Sequence, residues 1–571
     1  MIRVPNVFYR ISPADRAPLR IGLLLDSKDQ IPAFVATIVE DIKASNFARI
    51  EVLVVRKTTI EQSPQSNPRP HQPFLYNLYL RLDARMKPEN DPLGLVDGTH
   101  LLADIETVDV APTGKDRRFP EDVAEKIRAK DLDVLICLGV QRPFGDVLKG
   151  ARYGLWSYEY GDIEFYLGGP PLFWELREKS PVSGMTLRVL SDQPGGGPVL
   201  SKSFFATEQT LSVSRNRYNP YWGSTDLIIA KLNELHQFGW ESLLDRAIEK
   251  PSYKGKRALY GTPSNRDVLS WLAPVLLKKA ISYPLRKEMV QHWRIACRVN
   301  GKPLFEPDAA SDLSGFRWME APEGHYWADP FVFEHEGKYW AFFEDYCYRE
   351  MRAGLACAQI SPQGELGPPI PCLHNPSCHY SYPHVFRAGA DIFMIPESYE
   401  SNSVDLYRCT QFPNQWVHEK LLLKGKFVDT TVWQHEGLWW IATTSADPGP
   451  GAGSLLLFFA TSITGEWHFH PKNPISTDIR VNRGAGRIIQ SQNRLIRPSQ
   501  SCAPTYGYSI AFHEITELSK KRYSENILKV IGPEQFPGLA GIHTYNCGGN
   551  FEFIDGRAPV QLKRMQLRSG S

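Results

Sequence analysis

The sequence has few of the features that identify disulfide-rich, zinc-binding, nucleic-acid-binding or membrane proteins. Only nine of its 571 residues are cysteine, and no C-x-x-C pair occurs, so we expect neither a disulfide framework nor a structural zinc site. Basic residues outnumber acidic ones by only two, 65 against 63, which does not favour a nucleic-acid partner. No apolar run reaches about 18 residues, so we expect no transmembrane segment. The first residues lack the apolar core of a secretory signal, and we therefore expect a cytoplasmic protein.

Several catalytic motifs are also absent. The sequence has no G-x-x-x-x-G-K-[ST] phosphate loop and no H-E-x-x-H zinc motif. It has no G-x-S-x-G elbow, so a Ser-His-Asp triad is not indicated. The segment PCLHNPSCHY brings Cys372, His374, Cys378 and His379 close together, but their spacing is not that of a zinc site. We therefore assign no metal.

The first half alternates between buried strands and helices. Apolar runs begin at Leu19 and Ala48, a third ends at Val140, and stretches with helical periodicity lie between them. This alternation predicts an open α/β sheet with right-handed crossovers. A polar, proline-rich insertion between Thr58 and Gly98 is expected to form a loop with a helix around Leu75–Met86.

Five segments of the second half repeat one pattern, in which a polar or special residue is followed by a strand, a turn and an aromatic-rich strand. The equivalent residues lie about 47 to 58 positions apart; they are Asp329, Tyr382, Asp429, Ala485 and His543. A period near 50 with two signature strands per unit is typical of a β-propeller, and five units predict five blades. The segment WRIACRVN, from Trp293, is expected to supply a strand that helps to close the ring.

These patterns predict a multidomain protein. We expect a short tail over residues 1–17, an α/β domain over 18–245, a helical linker over 246–290, an all-β five-bladed propeller over 291–560 and a basic tail over 561–571.

The propeller predicts a site because the innermost strands of all blades begin at one mouth of the central channel. The repeat places charged and aromatic side chains there: Asp329, Tyr382 or His384, Asp429, Arg487 and His543. A structural alternative is that each aspartate only caps the start of its strand. Two carboxylates across a sugar ring would supply what glycoside chemistry needs, with one group attacking or activating water and the other protonating the leaving oxygen.

The segment WADPF resembles the start of the five-bladed glycosidases of families 43 and 32. This resemblance implies that Asp329 acts as general base or nucleophile and that Asp429 tunes proton affinity and holds substrate hydroxyls. The general-acid glutamate of those enzymes has no counterpart in GAGRIIQ, the corresponding segment of blade four. We take Glu397, in MIPES, as its best replacement, and Glu344, in FFEDY, as the second candidate.

A closer resemblance covers about residues 290–560. The ordered motifs WADPF, SYPHVF, FVDTTVW, GAGRII and IHT are similar to the N-terminal propeller of plant glucosamine inositolphosphorylceramide transferases. Those enzymes carry a separate glycosyltransferase domain that nothing here resembles, so glucosaminyl transfer is not implied. Arg487, Arg497 and His543 would suit an anionic or phosphorylated sugar. The expected ligand is therefore a glycan, a sugar phosphate or a nucleotide sugar.

Residues 18–215 resemble the folate-dependent formyltransferases that act on methionyl-tRNA or amino sugars, which implies a Rossmann-like α/β fold. The shared features are a Y-G turn, the GGPPLFW stretch, the SGMT strand and a glycine-rich turn before PVL. The family's catalytic Asn, His and Asp align with Ser157, Glu159 and Gly195, and Asp192 could replace the Asp only by a register shift. We therefore expect a degenerate site that does not use reduced folate. The domain is then expected to be a scaffold, or to offer a ligand-binding cleft whose polar groups are Glu159, Asp162 and Glu175.

Three functional hypotheses follow. The first is a carbohydrate-active enzyme whose propeller funnel performs glycosyl hydrolysis or transfer; the residues do not separate these two reactions. The second is a formyl or one-carbon transferase acting on an amino sugar. The third is a non-catalytic glycan-binding protein.

Overall fold

The computed structural model describes residues 4–56, 73–110, 119–139, 142–193, 195–248, 252–282, 289–309, 315–447 and 453–561. The chain divides into two compact units, Met1–Tyr283 and Pro284–Ser571. The finer domain limits given above remain predictions. No helix within the described residues is long and apolar enough to cross a membrane.

The N-terminal unit contains α-helices and one large sheet. Its helices are α1 (Val4–Tyr9), α2 (Ala33–Lys43), α3 (Phe74–Asp83), α4 (Thr99–Leu102), α5 (Glu121–Arg128), α6 (Phe173–Arg177), α7 (Val213–Asn216), α8 (Tyr218–Gly223), α9 (Thr225–Phe238), α10 (Trp240–Leu244) and α11 (Asn265–Ser282). Its strands are β1 (Leu19–Leu25), β2 (Gln30–Pro32), β3 (Ala48–Arg56), β4 (Leu95–Asp97), β5 (Glu106–Val110), β6 (Val134–Cys137), β7 (Leu155–Tyr160), β8 (Val182–Val189) and β9 (Val199–Ala206).

The large sheet has the strand order β5-β3-β1-β6-β7-β8-β9. The pairs from β5 to β7 are parallel, whereas β7–β8 and β8–β9 are antiparallel. Strand β1 (LRIGLLL) is almost entirely buried, as expected for a strand of a parallel sheet that is covered on both faces. The predicted α/β fold of this half is therefore confirmed.

One segment of this unit differs from the expectation, and another agrees with it. The segment predicted as a tail contains α1, and the adjacent Arg10 forms an ion pair with the buried Asp41 of α2 (2.6 Å). Within the proline-rich insertion, residues 57–72 lie outside the described part, and the expected helix is α3 followed by a 3₁₀ turn over Ala84–Met86.

The C-terminal unit is a five-bladed propeller, as predicted. In order from the channel outward, blade one contains β12 (His325–His335), β13 (Lys338–Cys347), β14 (Arg352–Gln359) and β15 (Ile370–Leu373). Blade two contains β16 (Ser381–Ala388), β17 (Asp391–Glu397), β18 (Ser403–Gln411) and β19 (Gln415–Lys424). Blade three contains β20 (Phe427–His435), β21 (Leu438–Ser445), β22 (Leu455–Ala460) and β23 (His468–Phe469).

The last two blades complete the ring. In blade four, β24 (Arg483–Gly484) and β25 (Ile489–Ser491) both pair with β26 (Arg494–Ser501), and β27 (Ser509–Leu518) and β28 (Tyr523–Ile531) follow. Blade five joins β29 (Tyr545–Gly548) and β30 (Phe551–Gln561) to β10 (Met289–Val299) and β11 (Arg317–Met319). The strand from Trp293 therefore closes the ring, because β10 pairs with β30 along its whole length.

A buried ion pair fastens this closure. Arg298 of β10 donates from Nε to Glu552 of β30 (2.9 Å). The other carboxylate oxygen of Glu552 accepts hydrogen bonds from the Leu304 N–H (2.9 Å) and the Tyr545 hydroxyl (2.7 Å). Because β10 precedes the other blades and β30 follows them, these contacts join the two ends of the propeller sequence. The predicted basic tail lies outside the described residues, apart from Gln561 at the end of β30.

Candidate functional site

A bulge interrupts the inner strand of each of the first three blades. The register shifts between Ala328 and Phe331 in β12, and at the equivalent places in β16 and β20. At each shift one non-glycine residue has a left-handed backbone, with φ of 50° at Asp329, 48° at Tyr382 and 51° at Asp429. Such conformations cost free energy and persist only where the surroundings impose them. Bulges also re-aim side chains, so these three positions differ from ordinary strand starts.

Each left-handed residue donates its N–H to a carboxylate. The Asp329 N–H binds Asp555 (3.1 Å), the Tyr382 N–H binds Asp329 (3.2 Å) and the Asp429 N–H binds Glu397 (3.0 Å). In every case the acceptor belongs to the preceding blade. The bulges therefore link neighbouring blades through carboxylates and hold Asp329, Asp429 and Glu397 around the same mouth.

Asp329 is buried at the centre of this arrangement. The Thr544 hydroxyl donates to its Oδ1 (2.6 Å), and Nε2 of His543 lies 3.7 Å from the same oxygen. Burial raises the pKa of Asp329 to about 7; His543 opposes the shift, while Glu344 and Asp555 add to it. Asp329 is therefore a carboxyl group that gains or loses its proton near neutral pH.

His543 lies between two carboxylates. Its Nδ1 is 2.6 Å from Asp555, while Nε2 faces Asp329. Its ring stacks on Trp293 at a centroid distance of 3.9 Å. Burial alone would lower the pKa of His543, but Asp555 and Asp329 outweigh it and raise the pKa to about 9. His543 is therefore a cation at neutral pH and stabilises the ionised form of Asp329.

Asp429 and Glu397 form a second pair of carboxyl groups. Arg483 donates from Nε to Asp429 (2.6 Å), and Gln500 donates to the same oxygen (3.3 Å). Arg483 also lies 3.9 Å from Glu397. Burial and the nearby charge of Asp429 raise the pKa of Glu397 well above its usual range. Glu397 therefore holds its proton more tightly than an ordinary glutamate, whereas Asp429 faces a guanidinium.

Glu344 lies on β13 beside the same mouth. Its Oε1 is 3.4 Å from Nε2 of His379 and accepts a hydrogen bond from the Tyr326 hydroxyl (3.4 Å). Nδ1 of His379 accepts the Ala353 N–H (3.2 Å), so the ring proton is on Nε2, facing Glu344. Burial would lower the pKa of His379, but Glu344 outweighs it and the pKa is raised. Glu344 is thus held by a histidine and a tyrosine.

Aromatic rings line part of the mouth. The exposed Tyr506 lies over the Arg483 guanidinium, 5.0 Å from ring centroid to carbon, and contacts His543 edge-on at 5.5 Å. On the blade-one side, Tyr326 stacks on Tyr346 at 4.5 Å. Rings of this kind offer flat apolar surfaces beside the carboxyl groups.

Arg487 and His384 lie deeper in the channel. The Arg487 guanidinium donates to the carbonyls of Val332 (2.5 Å) and Val385 (3.4 Å), and its N–H donates to Asn546 (3.0 Å). Arg487 of blade four thereby contacts three other blades. Burial and Arg487 lower the pKa of His384 to about 3, so His384 is neutral. These two residues are bound to the inner walls rather than to the carboxylate mouth.

Two other predicted ligand-binding residues make structural contacts. The Tyr382 hydroxyl bonds to Thr431 (2.9 Å) and to the backbone of Gly486 (2.7 Å to the N–H), so its side chain joins blades two, three and four. Arg497 donates from Nε and Nη2 to Glu525 (2.8 and 2.6 Å). Arg497 is therefore not free to bind an anionic ligand as expected, because its charge is already matched within blade four.

A cation could in principle bind near Asp329. One ligand atom each of Asp329, His543 and Asp555 lies within 4.8 Å of the others. Both ring nitrogens of His543 already face carboxylates, however, so a metal would have to displace a proton from the ring. Of the segment PCLHNPSCHY, His379 faces Glu344 and His374 lies 3.8 Å from Glu350. We assign no metal to either group.

The sequence analysis missed Asp555, Thr544 and Arg483. Asp555 lies on the second strand of its blade, whereas the search concentrated on the first strands. A signal was present, because Glu344 pairs with Ala328 and Glu397 pairs with Ser381, each opposite the residue before a bulge. Acids near the ends of second strands, in FFED, MIPE and FIDG, mark this mouth.

The predicted N-terminal cleft is filled by its own ion pairs. Glu159 binds Arg142 and Arg188 through its two oxygens, each at 3.0 Å. Arg188 is fully buried and also donates to the Gly195 carbonyl (2.5 Å), while Arg142 donates to the Ser191 carbonyl (2.5 Å). Glu159 therefore holds two arginines that fix the glycine-rich turn, in the position where the resemblance expects a catalytic histidine.

The remaining cleft residues also have partners or are buried. The Ser157 hydroxyl lies 3.4 Å from the Cys137 carbonyl, and Asp192 accepts the Gly145 N–H (3.1 Å). Asp162 binds Lys202 (3.0 Å). Burial raises the pKa of Glu175 to about 8, so it is a protonated side chain beneath the sheet.

Strand order and site together define a five-bladed propeller with a funnel rich in carboxyl groups. Residues 317–535 match the family model described as "Glucosamine inositolphosphorylceramide transferase 1, N-terminal", which confirms the resemblance for this segment. A curated relative, glucosamine inositolphosphorylceramide transferase 1 of Arabidopsis thaliana, is 34% identical over 203 residues, which are 35% of this chain and 26% of the relative. The chain thus spans about a quarter of that relative's length.

Solved structures similar to each unit are distant. One is the phosphoribosylglycinamide formyltransferase of Bacillus halodurans, with a TM-score of 0.28 and 12% identity over 39% of this chain and 97% of that one. Another is the alpha-L-arabinanase of Cellvibrio cellulosa complexed with arabinohexaose, with a TM-score of 0.29 and 7% identity over 35% of this chain and 77% of that one. The strand order of this chain by itself defines the fold of each unit.

Proposed function

We propose that the propeller funnel binds a glycan or glycoconjugate and catalyses glycosyl hydrolysis or transfer. The observation that carries this proposal is a set of carboxyl groups in contrasting electrostatic environments at one mouth. Burial raises the pKa of both Asp329 and Glu397, but His543 opposes the shift of Asp329, whereas the charge of Asp429 adds to the shift of Glu397. Pairs of acids whose pKa values are pushed apart supply the acid and base that glycoside chemistry requires.

The roles follow from these environments. Asp329 attacks the anomeric carbon or activates the water or acceptor hydroxyl. Glu397 donates its proton to the leaving oxygen, and Asp429, fixed by Arg483, orients Glu397 and keeps its pKa high. Glu344 and Tyr506 contact the substrate, with Tyr506 as the flat surface for a sugar ring.

The contacts at the mouth favour a neutral sugar or an amino sugar there. Two of the cations expected to hold a phosphate, Arg487 and Arg497, are bound elsewhere. The plant relative is named for glucosamine and inositolphosphorylceramide, and we propose as the substrate class a glycoconjugate that places such an amino sugar in the funnel and keeps any phosphate outside it. The N-terminal unit serves as a scaffold, because Glu159, Asp162 and Asp192 are bonded to other residues of that unit.

The experiment is a kinetic comparison on aryl glycosides of neutral and amino sugars, each prepared with a good and a poor leaving group. Asp329→Asn should lose at least about a thousandfold in kcat with both leaving groups. Glu397→Gln should lose comparably with the poor leaving group but retain most of its rate with the good one, because a good leaving group needs no proton.

Asp192→Asn in the N-terminal unit is the matched control, and it should leave both rates unchanged. Equal losses for Glu397→Gln with both leaving groups would exclude it as the general acid. Saturable sugar binding with every glycoside recovered intact would favour a binding protein instead of an enzyme.

A further inference from the structure

Helix α3 is apolar on two opposite faces. Its inner face places Tyr76 and Tyr79 in a buried aromatic cluster. Its outer face presents Phe74, Leu78 and Leu82, which are 71%, 42% and 51% exposed. Their spacing of four residues aligns them along one side of the helix over about 12 Å. A surface helix normally directs polar residues outward, so this outer face lacks the composition of an ordinary solvent-facing surface.

Helix α11 packs against α3 and likewise has both buried and exposed apolar side chains. Val268 and Trp271 are buried in the same aromatic cluster. Leu276 and Leu277, near the other end of α11, are 54% and 63% exposed. Two helices that contact each other therefore both expose large apolar side chains.

Basic residues accompany the exposed apolar ones. Arg81 and Arg85 are exposed beside Leu82, and Lys278 is exposed after Leu277. None of the three forms an ion pair with a residue that the structure describes. The one acid of α3, Asp83, is buried and accepts the Ser214 hydroxyl (2.8 Å). The outer face of α3 is thus apolar and basic, with no exposed acid of its own.

We propose that the outer faces of α3 and α11 bind the surface of an anionic lipid bilayer. A helix that combines leucine and phenylalanine with arginine lies in the interface plane, with its apolar side chains among the acyl chains and its cations at the lipid phosphates. A second copy of this chain fits less well, because two such faces would bring Arg81 and Arg85 against their own equivalents. This inference is independent of the chemistry in the funnel.

The test is vesicle co-sedimentation of the full chain. Vesicles of phosphatidylcholine with about 30 mol% phosphatidylserine should bind the protein at least about tenfold more tightly than phosphatidylcholine alone. Each neutralised arginine at a membrane surface weakens attraction about fivefold, so Arg81→Gln with Arg85→Gln should reduce binding about thirtyfold. Phe74→Ser with Leu82→Ser should lose at least about tenfold, and exposure of both side chains keeps the fold intact.

The matched control is Ile527→Ser with Val530→Ser on β28, where two comparably exposed apolar residues, at 57% and 53%, lie outside the basic helices. This control should bind vesicles like the unaltered chain. Absence of binding to anionic vesicles overturns the proposal. So does an equal loss in the control, or sedimentation of the protein as a dimer that Phe74→Ser with Leu82→Ser converts to a monomer.

Discussion

Replacing Asp555 by asparagine should weaken the propeller in a pH-dependent manner. Asp555 is fully buried and accepts four hydrogen bonds, from the N–H groups of Asp329, His543 and Thr544 and from the His543 ring. Asparagine keeps one carbonyl oxygen for the His543 and Thr544 N–H groups, but its amide nitrogen cannot accept the Asp329 N–H, and the charge is removed. The part of the loss that depends on pH is the attraction between this carboxylate and the His543 imidazolium.

The size of the loss follows from the pKa of His543. That pKa is raised to about 9, and each unit above the ordinary value of about 6.5 corresponds to about 1.4 kcal/mol. The net shift, after the opposing effect of burial, corresponds to about 3 kcal/mol, and we expect removal of Asp555, the larger of the two attractions, to cost about 2 kcal/mol of it. Because the folded-state pKa is the higher one, this stability is fully present below about pH 6.5 and is lost as the pH rises through about 9.

The assay is the free energy of unfolding of the whole chain, measured in urea at about pH 6, 7.5 and 10. Asp555→Asn should cost about 2 kcal/mol more at pH 6 than at pH 10, where His543 is neutral in both proteins. The proton resonances of the His543 ring, assigned with His543→Gln, should titrate near 9 in the unaltered protein and about a unit or more lower in the variant.

A matched control is Asp405→Asn, which removes a carboxylate 3.0 Å from the half-exposed His418. Solvent weakens that contact, so the variant should change the free energy of unfolding by less than about 1 kcal/mol at every pH. A loss for Asp555→Asn that is equal at pH 6 and pH 10, or a His543 ring that titrates near 6.5, would refute the reasoning.

Three further outcomes are expected. Glu552→Gln should cost the propeller about 3–5 kcal/mol in urea unfolding, because it removes the carboxylate that offsets the buried charge of Arg298, whereas Glu419→Gln on the outer surface should cost less than about 1 kcal/mol. Glu159→Gln should lower the unfolding free energy of the N-terminal unit alone by about 3 kcal/mol, since it removes the carboxylate that offsets the buried charge of Arg188. Calorimetry should show the change only in the transition of that unit. The kcat/KM of the glycosyl reaction should rise with pH through about 7 as Asp329 ionises and then fall as the acid loses its proton.

Much of the fold can be predicted from the sequence because it is encoded by local periodicity. The alternation of apolar runs and helices indicates the α/β sheet, and a period near 50 residues indicates the blades. Even the closing strand from Trp293 can be recognised as a strand. The helix at Val4–Tyr9 escaped prediction because contacts with distant residues, such as the ion pair of Arg10 with Asp41, hold that segment in place.

The candidate site was only partly predictable, for a physical reason. Asp329 and Asp429 stand at the starts of repeats, so sequence spacing reveals them. The pairing of charges does not follow from spacing: Arg497 meets Glu525, and Glu159 meets Arg142 and Arg188, through contacts that only the folded chain creates. The position of Asp555 near the end of a second strand is visible in FIDG, as in FFED and MIPE, but its bond to the bulge at Asp329 exists only in the folded chain.

The most direct test of the central claim is a crystal structure of Asp329→Asn bound to the glycoside that the kinetic comparison identifies. We expect a sugar in the funnel, with its glycosidic oxygen within hydrogen-bond distance of Glu397 and its ring near Tyr506. The distance from the Glu397 carboxyl to the side-chain amide at position 329 would then distinguish retention, about 5–5.5 Å, from inversion, about 6.5–9.5 Å. A sugar bound in the N-terminal unit, or on the outer strands of the blades with the funnel empty, would contradict the account.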